Sequence, residues 1–151
     1  MIKIICVGKL KEQYLKDAVL EYKKRLSKYT EIEIIEVPDE GLLDDSKTLK
    51  KEGESIIKYI DNKDYIITLE IDGKNISSLE FANKINDIYL TNSNITFIIG
   101  GSLGLDDSIK ELSNYKLSFG KMTFPHQLFR VLLLEQIYRC FKINNNESYH
   151  K

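Results

Sequence analysis

Two glycine-bearing loops near the end of the chain offer backbone groups to a ligand. The first reads Gly-Gly-Ser-Leu-Gly over residues 100–104, and the second reads Phe-Gly-Lys-Met-Thr-Phe-Pro-His over residues 119–126. Glycine permits left-handed backbone and lets a flat ligand lie close against the chain. The same residues are also typical of tight turns after a buried strand. The pattern therefore predicts either a ligand held by backbone groups or two structural turns.

Neither loop matches the common phosphate-binding motifs. A dinucleotide-binding loop needs G-x-G-x-x-G, whereas Gly100, Gly101 and Gly104 give G-G-x-x-G. A P-loop needs a glycine where Tyr115 stands and a serine or threonine where Met122 stands. The chain shows no Ser/His/Asp order, no catalytic carboxylate pair and no metal-ligand spacing. The sequence therefore predicts neither nucleoside triphosphate chemistry nor a metal site.

The two histidines occupy different contexts. His126 directly follows Pro125, a position typical of a polar residue in the first turn of a helix. His150 lies in the ending Glu-Ser-Tyr-His-Lys, after a run of asparagines. Taken alone, that ending is typical of a frayed terminus.

Alternating strands and helices must position these loops. The hydrophobic pattern predicts five strands, over residues 2–7, 31–37, 65–71, 95–99 and 115–119. A turn at Asp72-Gly73 is expected to end the third. Amphipathic segments between the strands predict an α/β fold in one domain, residues 1–151, with a mostly parallel sheet of five to six strands and helices on both faces. Ligands of such sheets bind at the carboxyl ends of strands, where Leu69, Gly100 and Phe119-Gly120 fall.

Composition limits the class of protein. Of 151 residues, 42% are hydrophobic and 30% charged, as in ordinary globular domains. No apolar run approaches the ~20 residues that span a bilayer, which predicts no membrane partner, and residues 1–7 lack the features of a signal peptide. Cys6 and Cys140 lie in apolar segments, which predicts buried thiols and a cytoplasmic protein.

Charge is unevenly distributed along the chain. The net charge of −1 combines +4 over residues 9–28, +3 over residues 121–151 and −8 over the remainder. The basic ends are either solvated helix faces or a small patch for an anionic partner.

The last helix is apolar over most of its circumference. Ten of the fifteen residues 128–142 are apolar, whereas a surface helix buries a stripe only somewhat over roughly 100° wide. The helix must lie beneath other elements or meet another subunit. We favour a symmetric homodimer.

Short motifs along the whole chain resemble one known family. They include residues 7–11 (Val-Gly-Lys-Leu-Lys), 36–39 (Glu-Val-Pro-Asp), 99–102 (Ile-Gly-Gly-Ser), 121–127 (Lys-Met-Thr-Phe-Pro-His-Gln) and 149–151 (Tyr-His-Lys). These motifs are similar to the ribosomal RNA large-subunit methyltransferase H family, within the SPOUT, or trefoil-knotted, methyltransferases. The string at residues 121–127 is the most specific of them.

The resemblance implies an enzyme that methylates N3 of a pseudouridine in helix 69 of 23S rRNA, using S-adenosylmethionine, on the assembled ribosome. It also implies a homodimer and a C-terminal trefoil knot. By motif match, the donor pocket would contain Leu69, Gly100, Phe119, Gly120, Lys121, Met122, Thr123 and Phe124. These residues include the predicted strand ends.

The implied reaction needs a route for the N3 proton. His150 is the candidate base, because the reference pKa of imidazole is near neutral. Alternatively, His150 holds the pseudouridine by hydrogen bonding while solvent takes the proton. Arg139, Tyr149 and Lys151 are candidate RNA contacts.

The chain departs from the resembled family at Asn145-Asn146, where the family usually has Arg-Gly. A cationic RNA contact could be missing there, or supplied by Lys142 or Arg139. Since folds do not fix functions, an alternative function is a non-catalytic ribosome-binding or adenosine-nucleotide-sensing domain.

Overall fold

Strands and helices alternate throughout the computed structural model, which describes residues 1–151. The strands are β1 (Ile2–Val7), β2 (Ile32–Val37), β3 (Tyr65–Asn75), β4 (Ile95–Ile99) and β5 (Tyr115–Ser118). The helices are α1 (Gln13–Leu26), α2 (Asp45–Ile57), α3 (Ser78–Tyr89), α4 (Asp107–Leu112) and α5 (His126–Asn144). All five predicted strands are present.

The sheet is parallel throughout and has the order β2-β1-β4-β3-β5. Its central strands are buried on both faces, as the fully buried neighbours Ile4 and Ile5 of β1 illustrate. Helices α1, α3 and α5 cover one face, while α2 and α4 cover the other. The predicted α/β fold with helices on both faces is therefore confirmed, with five strands.

The predicted turn at Asp72-Gly73 does not end β3. Leu69 and Lys74 both pair with Leu117 of β5, so the residues between them bulge outward and the strand then resumes. Gly73 permits this because a Cβ there would lie 2.8 Å from the backbone of β5. The bulge widens the carboxyl end of the sheet.

Helix α5 returns across the sheet from its edge. Although β5 is an edge strand, α5 packs against both α1 and α3. Its buried Arg130 donates to Glu36 Oε2 at 2.6 Å and to the Gly8 carbonyl oxygen at 3.1 Å. Burial acts to raise the Glu36 pKa, but hydrogen bonds from Arg130 and the Leu10 amide outweigh it and lower the pKa. Arg130 thus fixes the start of α5 above the ends of β1 and β2.

Both cysteines are buried and free, as predicted. Burial raises the pKa of Cys6 to about 12 and also raises that of Cys140 above its ordinary value. These thiols are packing groups, because a thiol is reactive as its thiolate. None of the helices combines the length and hydrophobicity needed to span a membrane.

Candidate active site

A cleft of about 780 Å³ opens at the carboxyl ends of the adjacent strands β4, β3 and β5. Its walls are the β3 bulge, the glycine loop (residues 100–104), the return loop (residues 119–125) and the start of α5. The return loop is the segment that carries the chain from β5 back across the strand ends. The volume is within the ~300–1,000 Å³ typical of small-molecule sites.

Seven of the eight pocket residues expected from the motifs line this cleft, namely Leu69, Gly100, Phe119, Gly120, Met122, Thr123 and Phe124. Lys121 does not line the cleft and is exposed to solvent. The sequence pattern alone predicted only that Leu69, Gly100 and Phe119-Gly120 lie at the carboxyl ends of strands. The fold places them around one cavity.

Other lining residues are not among those that the sequence predicts. The β3 bulge contributes Glu70, Ile71 and Asp72, and the start of α5 contributes His126 and Phe129. The bulge carries no signal of its own in the sequence. The sequence pattern indicates His126 only as a helix-start residue, and the one signal for a place in the cleft is its position directly after Pro125 in the motif at residues 121–127.

Aromatic rings and one anchored carboxylate shape the cleft. Phe129 packs between Phe119 and Phe124, with ring centroids 4.7 and 6.1 Å apart respectively. Glu70 Oε2 accepts a hydrogen bond from Thr68 Oγ1 at 2.6 Å. The Lys110 ammonium lies 4.0 Å from the other Glu70 oxygen. The cleft thus combines an apolar wall with a fixed hydrogen-bond acceptor, which suits a flat heterocycle bearing hydroxyl groups.

The glycines of the two loops have different roles. A Cβ at Gly100 would overlap the Gly104 carbonyl oxygen and lie 2.6 Å from the Gly104 carbonyl carbon. Gly104 (φ +81°) and Gly120 (φ +123°) take left-handed backbone, and a Cβ on either would meet nothing within 4 Å. Gly100 is therefore required for closing its own loop. Gly104 and Gly120 leave bare backbone facing the cleft.

Gly100→Ala should destabilise the folded protein, because the added methyl group collides with backbone rather than with a flexible side chain. Overpacking of this kind costs ~1–3 kcal/mol, which lowers the melting temperature of a domain this size by about 5 °C. Thermal unfolding followed by circular dichroism measures the effect. Gly41→Ala, in an exposed loop, is the control. Wild-type melting of Gly100→Ala would contradict the turn role.

The C-terminal tail (residues 145–151) is packed rather than frayed. Tyr149 donates to Glu135 Oε1 at 3.0 Å and packs edge-on against Tyr138, with ring centroids 5.0 Å apart. The Arg139 guanidinium lies 4.8 Å from the centroid of the Tyr149 ring and 3.2 Å from His150 Nδ1. The tail therefore rests on α5 of its own chain.

A second anchor holds the tail to α1. Glu147 accepts hydrogen bonds from Lys142 at 2.9 Å, Tyr29 at 2.7 Å and Lys28 at 3.3 Å. These donors, Lys142 foremost, lower the Glu147 pKa to about 2. None of the four predicted tail-side residues, Arg139, Tyr149, His150 and Lys151, lines the cleft of the same chain.

Comparison with known proteins identifies the family. The family described as predicted SPOUT methyltransferase matches residues 1–150. This chain belongs to the SPOUT methyltransferase family. It is 57% identical to a protein of Methanococcus vannielii, over 99% of both chains. It is 54% identical to the ribosomal RNA large subunit methyltransferase H of Clostridium tetani, again over 99% of both.

A similar fold is found in a solved structure. A probable methylase family protein from Haemophilus influenzae superposes with a TM-score of 0.60 at 17% identity, over 99% of this chain and 70% of that one. At that identity the likeness concerns the fold alone. Family membership and the named relatives make this chain a methyltransferase.

Asn146, which stands where the resemblance leads us to expect glycine, keeps a backbone conformation that glycine favours. Asn146 has φ +54°, and asparagine is the residue that best replaces glycine in this conformation after a helix. Asn145 Nδ2 donates to the Phe141 carbonyl oxygen at 2.7 Å and so caps α5. The two cations considered as substitutes, Lys142 and Arg139, are each paired with a glutamate.

Proposed function

We propose that this methyltransferase transfers the methyl group of S-adenosylmethionine to N3 of a pseudouridine in helix 69 of 23S rRNA, on the assembled ribosome in the cytoplasm. The cleft at three adjacent strand ends carries the proposal, because motif-matched residues from separate segments meet there. The ribosomal RNA in the names of the relatives and the motifs at residues 121–127 and 149–151 support the substrate.

The cleft fits an adenosyl group. Gly104 and Gly120 leave space that a Cβ would fill, so their backbone can lie against a flat base. Phe119 and Phe129 supply apolar surface, and the Glu70 carboxylate can accept from a ribose hydroxyl. When bound, S-adenosylmethionine supplies a methyl carbon already activated by its positive sulfur. The chain then has to orient and dehydrate the reacting groups, and positioning can contribute ~7–11 kcal/mol.

We extend the proposal to a homodimer built on α5. Leu133 is fully buried in its own chain, but Leu128 is 37% exposed and Leu132 is half-buried. Leu128, Leu132, Gln136 and Arg139 follow one another along a stripe at helical spacing. An isologous contact would cover this stripe in both subunits.

The same interface would bring the tail of one subunit to the cleft of the other. Leu128 lies at the cleft end of α5 and Arg139 at the tail end, about 16 Å apart at 1.5 Å per residue. Antiparallel packing of two α5 helices about the middle of this stripe would set Arg139 of the partner subunit beside Leu128. His150, Tyr149 and Lys151 would then reach the cleft from across the interface, with Lys151 free to contact phosphate.

A trefoil knot belongs to the same proposal. The return loop runs from the edge strand β5 across the strand ends to α5, which lies between α1 and α3. Such a crossing is the path on which a chain could thread. SPOUT family membership supports this topology.

The role of His150 depends on its contact with Arg139. A guanidinium only donates hydrogen bonds, so in this arrangement Nδ1 accepts and a neutral ring carries its proton on Nε2. His150 would then hold the pseudouridine by donating from Nε2 while solvent takes the N3 proton. To act as the base, its ring must first leave Arg139.

Mass spectrometry of the helix 69 fragment tests the function. We expect rRNA from a strain lacking this gene to be one methyl group lighter than wild type, and purified protein with S-adenosylmethionine to restore the mass on isolated ribosomes. A protein that binds the donor but leaves the ribosomes unmethylated would instead be the non-catalytic ribosome-binding or adenosine-sensing domain.

A further inference from the structure

Two exposed lysines stand on the loop that follows β1, at the same edge of the sheet as the cleft. Lys9 and Lys11 belong to the β1 loop (residues 8–12), which leads from the carboxyl end of β1 to α1. Both residues are exposed, and neither makes an ion pair. They begin the basic stretch of residues 9–28, whose net charge is +4 in a chain of net charge −1.

The start of α5 holds the β1 loop in place. The Lys11 N–H donates to Gln127 Oε1 at 3.1 Å, and Arg130 donates to the Gly8 carbonyl oxygen at 3.1 Å. Both anchors involve either backbone of the loop or side chains of α5. The backbone that carries Lys9 and Lys11 is therefore fixed, while the two ammonium groups remain free.

The β1 loop also adjoins the wall of the cleft. A Cβ at Gly8 would lie 3.8 Å from His126 Nε2, and His126 lines the cleft. Lys9 follows Gly8 directly in the chain. The free positive charge therefore begins one residue away from a side chain of the cleft.

Carboxylates at the ends of β1 and β2 do not cancel this charge. Glu36 is paired with the buried Arg130 at 2.6 Å, and Asp39 Oδ1 accepts from the Gly41 amide at 2.9 Å. Glu12, at the start of α1, is exposed and makes no ion pair. The β1 loop thus presents two positive charges against one negative charge, which favours an anionic partner.

We infer that Lys9 and Lys11 contact the phosphates that flank the methylated nucleotide of the rRNA. This inference rests on the proposed function, because that function makes RNA the substrate. An enzyme that modifies a base takes the base into its pocket, so the phosphates on either side stay at the mouth. Lysine binds phosphate as a point charge, and such contacts fix the position of the strand without reading its sequence. The β1 loop therefore positions the strand, and the cleft receives the base.

A double variant, Lys9→Gln with Lys11→Gln, tests this contact, because it removes both charges at exposed positions. Co-sedimentation with isolated ribosomes over a range of salt concentrations measures binding. We expect the Kd for ribosomes to rise about tenfold, and the slope of log Kd against log salt to fall by about one for each lysine. The Kd for S-adenosylmethionine, measured by calorimetric titration, should stay at the wild-type value.

Two further double variants serve as controls. Lys9→Arg with Lys11→Arg keeps both charges and should bind ribosomes like wild type. Lys58→Gln with Lys63→Gln removes two exposed charges from the loop between α2 and β3, at the amino ends of the strands, and should also bind like wild type.

The outcomes separate this inference from the proposed function. Wild-type ribosome affinity in the Lys9→Gln, Lys11→Gln variant overturns the phosphate contact and leaves the methylation proposal standing. Weaker affinity with an unchanged salt slope also overturns it, since the lost contact would not be with phosphate. A raised Kd for S-adenosylmethionine would assign the lysines to the carboxylate of the donor instead. If the wild-type protein binds ribosomes without methylating them, the proposed reaction fails and the lysine comparison still decides the contact. If it does not bind ribosomes, both proposals fail.

Discussion

Leu132→Asp should convert the proposed homodimer into a monomer that no longer methylates ribosomes. Leu132 lies on the outward stripe of α5 and is absent from the apolar core of its own chain. By two-fold symmetry each substitution appears twice in an isologous interface, where an unpaired carboxylate is costly. Loss of the dimer would also withdraw the tail of each subunit from the other's cleft. Sedimentation at micromolar protein, with a methylation assay on the same samples, measures both effects.

The structure decides between two neighbouring leucines for this test. Leu133 is fully buried, so an aspartate there would unfold the chain rather than probe an interface. Leu42→Asp is a suitable control, because Leu42 is fully exposed in the loop before α2. That variant should sediment and methylate like wild type. A wild-type monomer with full activity would refute the interface.

The strand positions could be read from the sequence because they depend on local composition. The run Ile95–Ile99 is apolar and β-branched enough to be buried on both faces wherever it lies in the sheet. The order of strands depends instead on contacts between distant segments. Arg130 joins α5 to Glu36 and to the Gly8 carbonyl group, which lie more than ninety positions away in the sequence. No periodic pattern in the sequence predicts such a contact.

The candidate site was only partly predictable for the same reason. Leu69 and Phe119 follow apolar runs, so their place at strand ends was visible. The outward bulge of residues 70–73 requires two strand segments to pair with the same residue of β5, which no local pattern encodes. The glycines in the sequence likewise predicted the glycine loop, but they did not predict the role of each glycine. The collision at Gly100 and the open space at Gly120 appear only when the backbone is built.

The tail shows how three-dimensional contacts can overrule a disordered composition. Its asparagines and charged residues are typical of a frayed end, yet Glu147 meets donors from both α1 and α5. Glu147 is ionised above its ordinary pKa, and its attachment should weaken as pH falls from there toward the folded pKa of about 2. At neutral pH Glu147 therefore keeps the tail attached to α1 and α5 of its own subunit.

Deleting residues 148–151 should leave dimerisation and S-adenosylmethionine binding intact but strongly reduce methyl transfer to ribosomes. The deletion removes Tyr149, His150 and Lys151, none of which lines the cleft of its own chain. It spares Glu147 and its contacts with α1 and α5. Sedimentation, calorimetric titration and ribosome methylation measure the three properties on one preparation. Full activity in the truncated protein would show that residues 148–151 take no part in methyl transfer.

Substitution of His150 alone then separates its two possible roles. His150→Ala should lower the methylation rate by roughly 10²-fold if the ring is the base. Because Arg139 occupies Nδ1, we expect instead that Nε2 donates to the pseudouridine. The loss should then be smaller, with no change in the pH profile, and His150→Gln should recover most of the activity because its amide can still donate. If His150→Gln is as inactive as His150→Ala and the pH profile shifts, the ring is the proton acceptor and must leave Arg139 during each turnover.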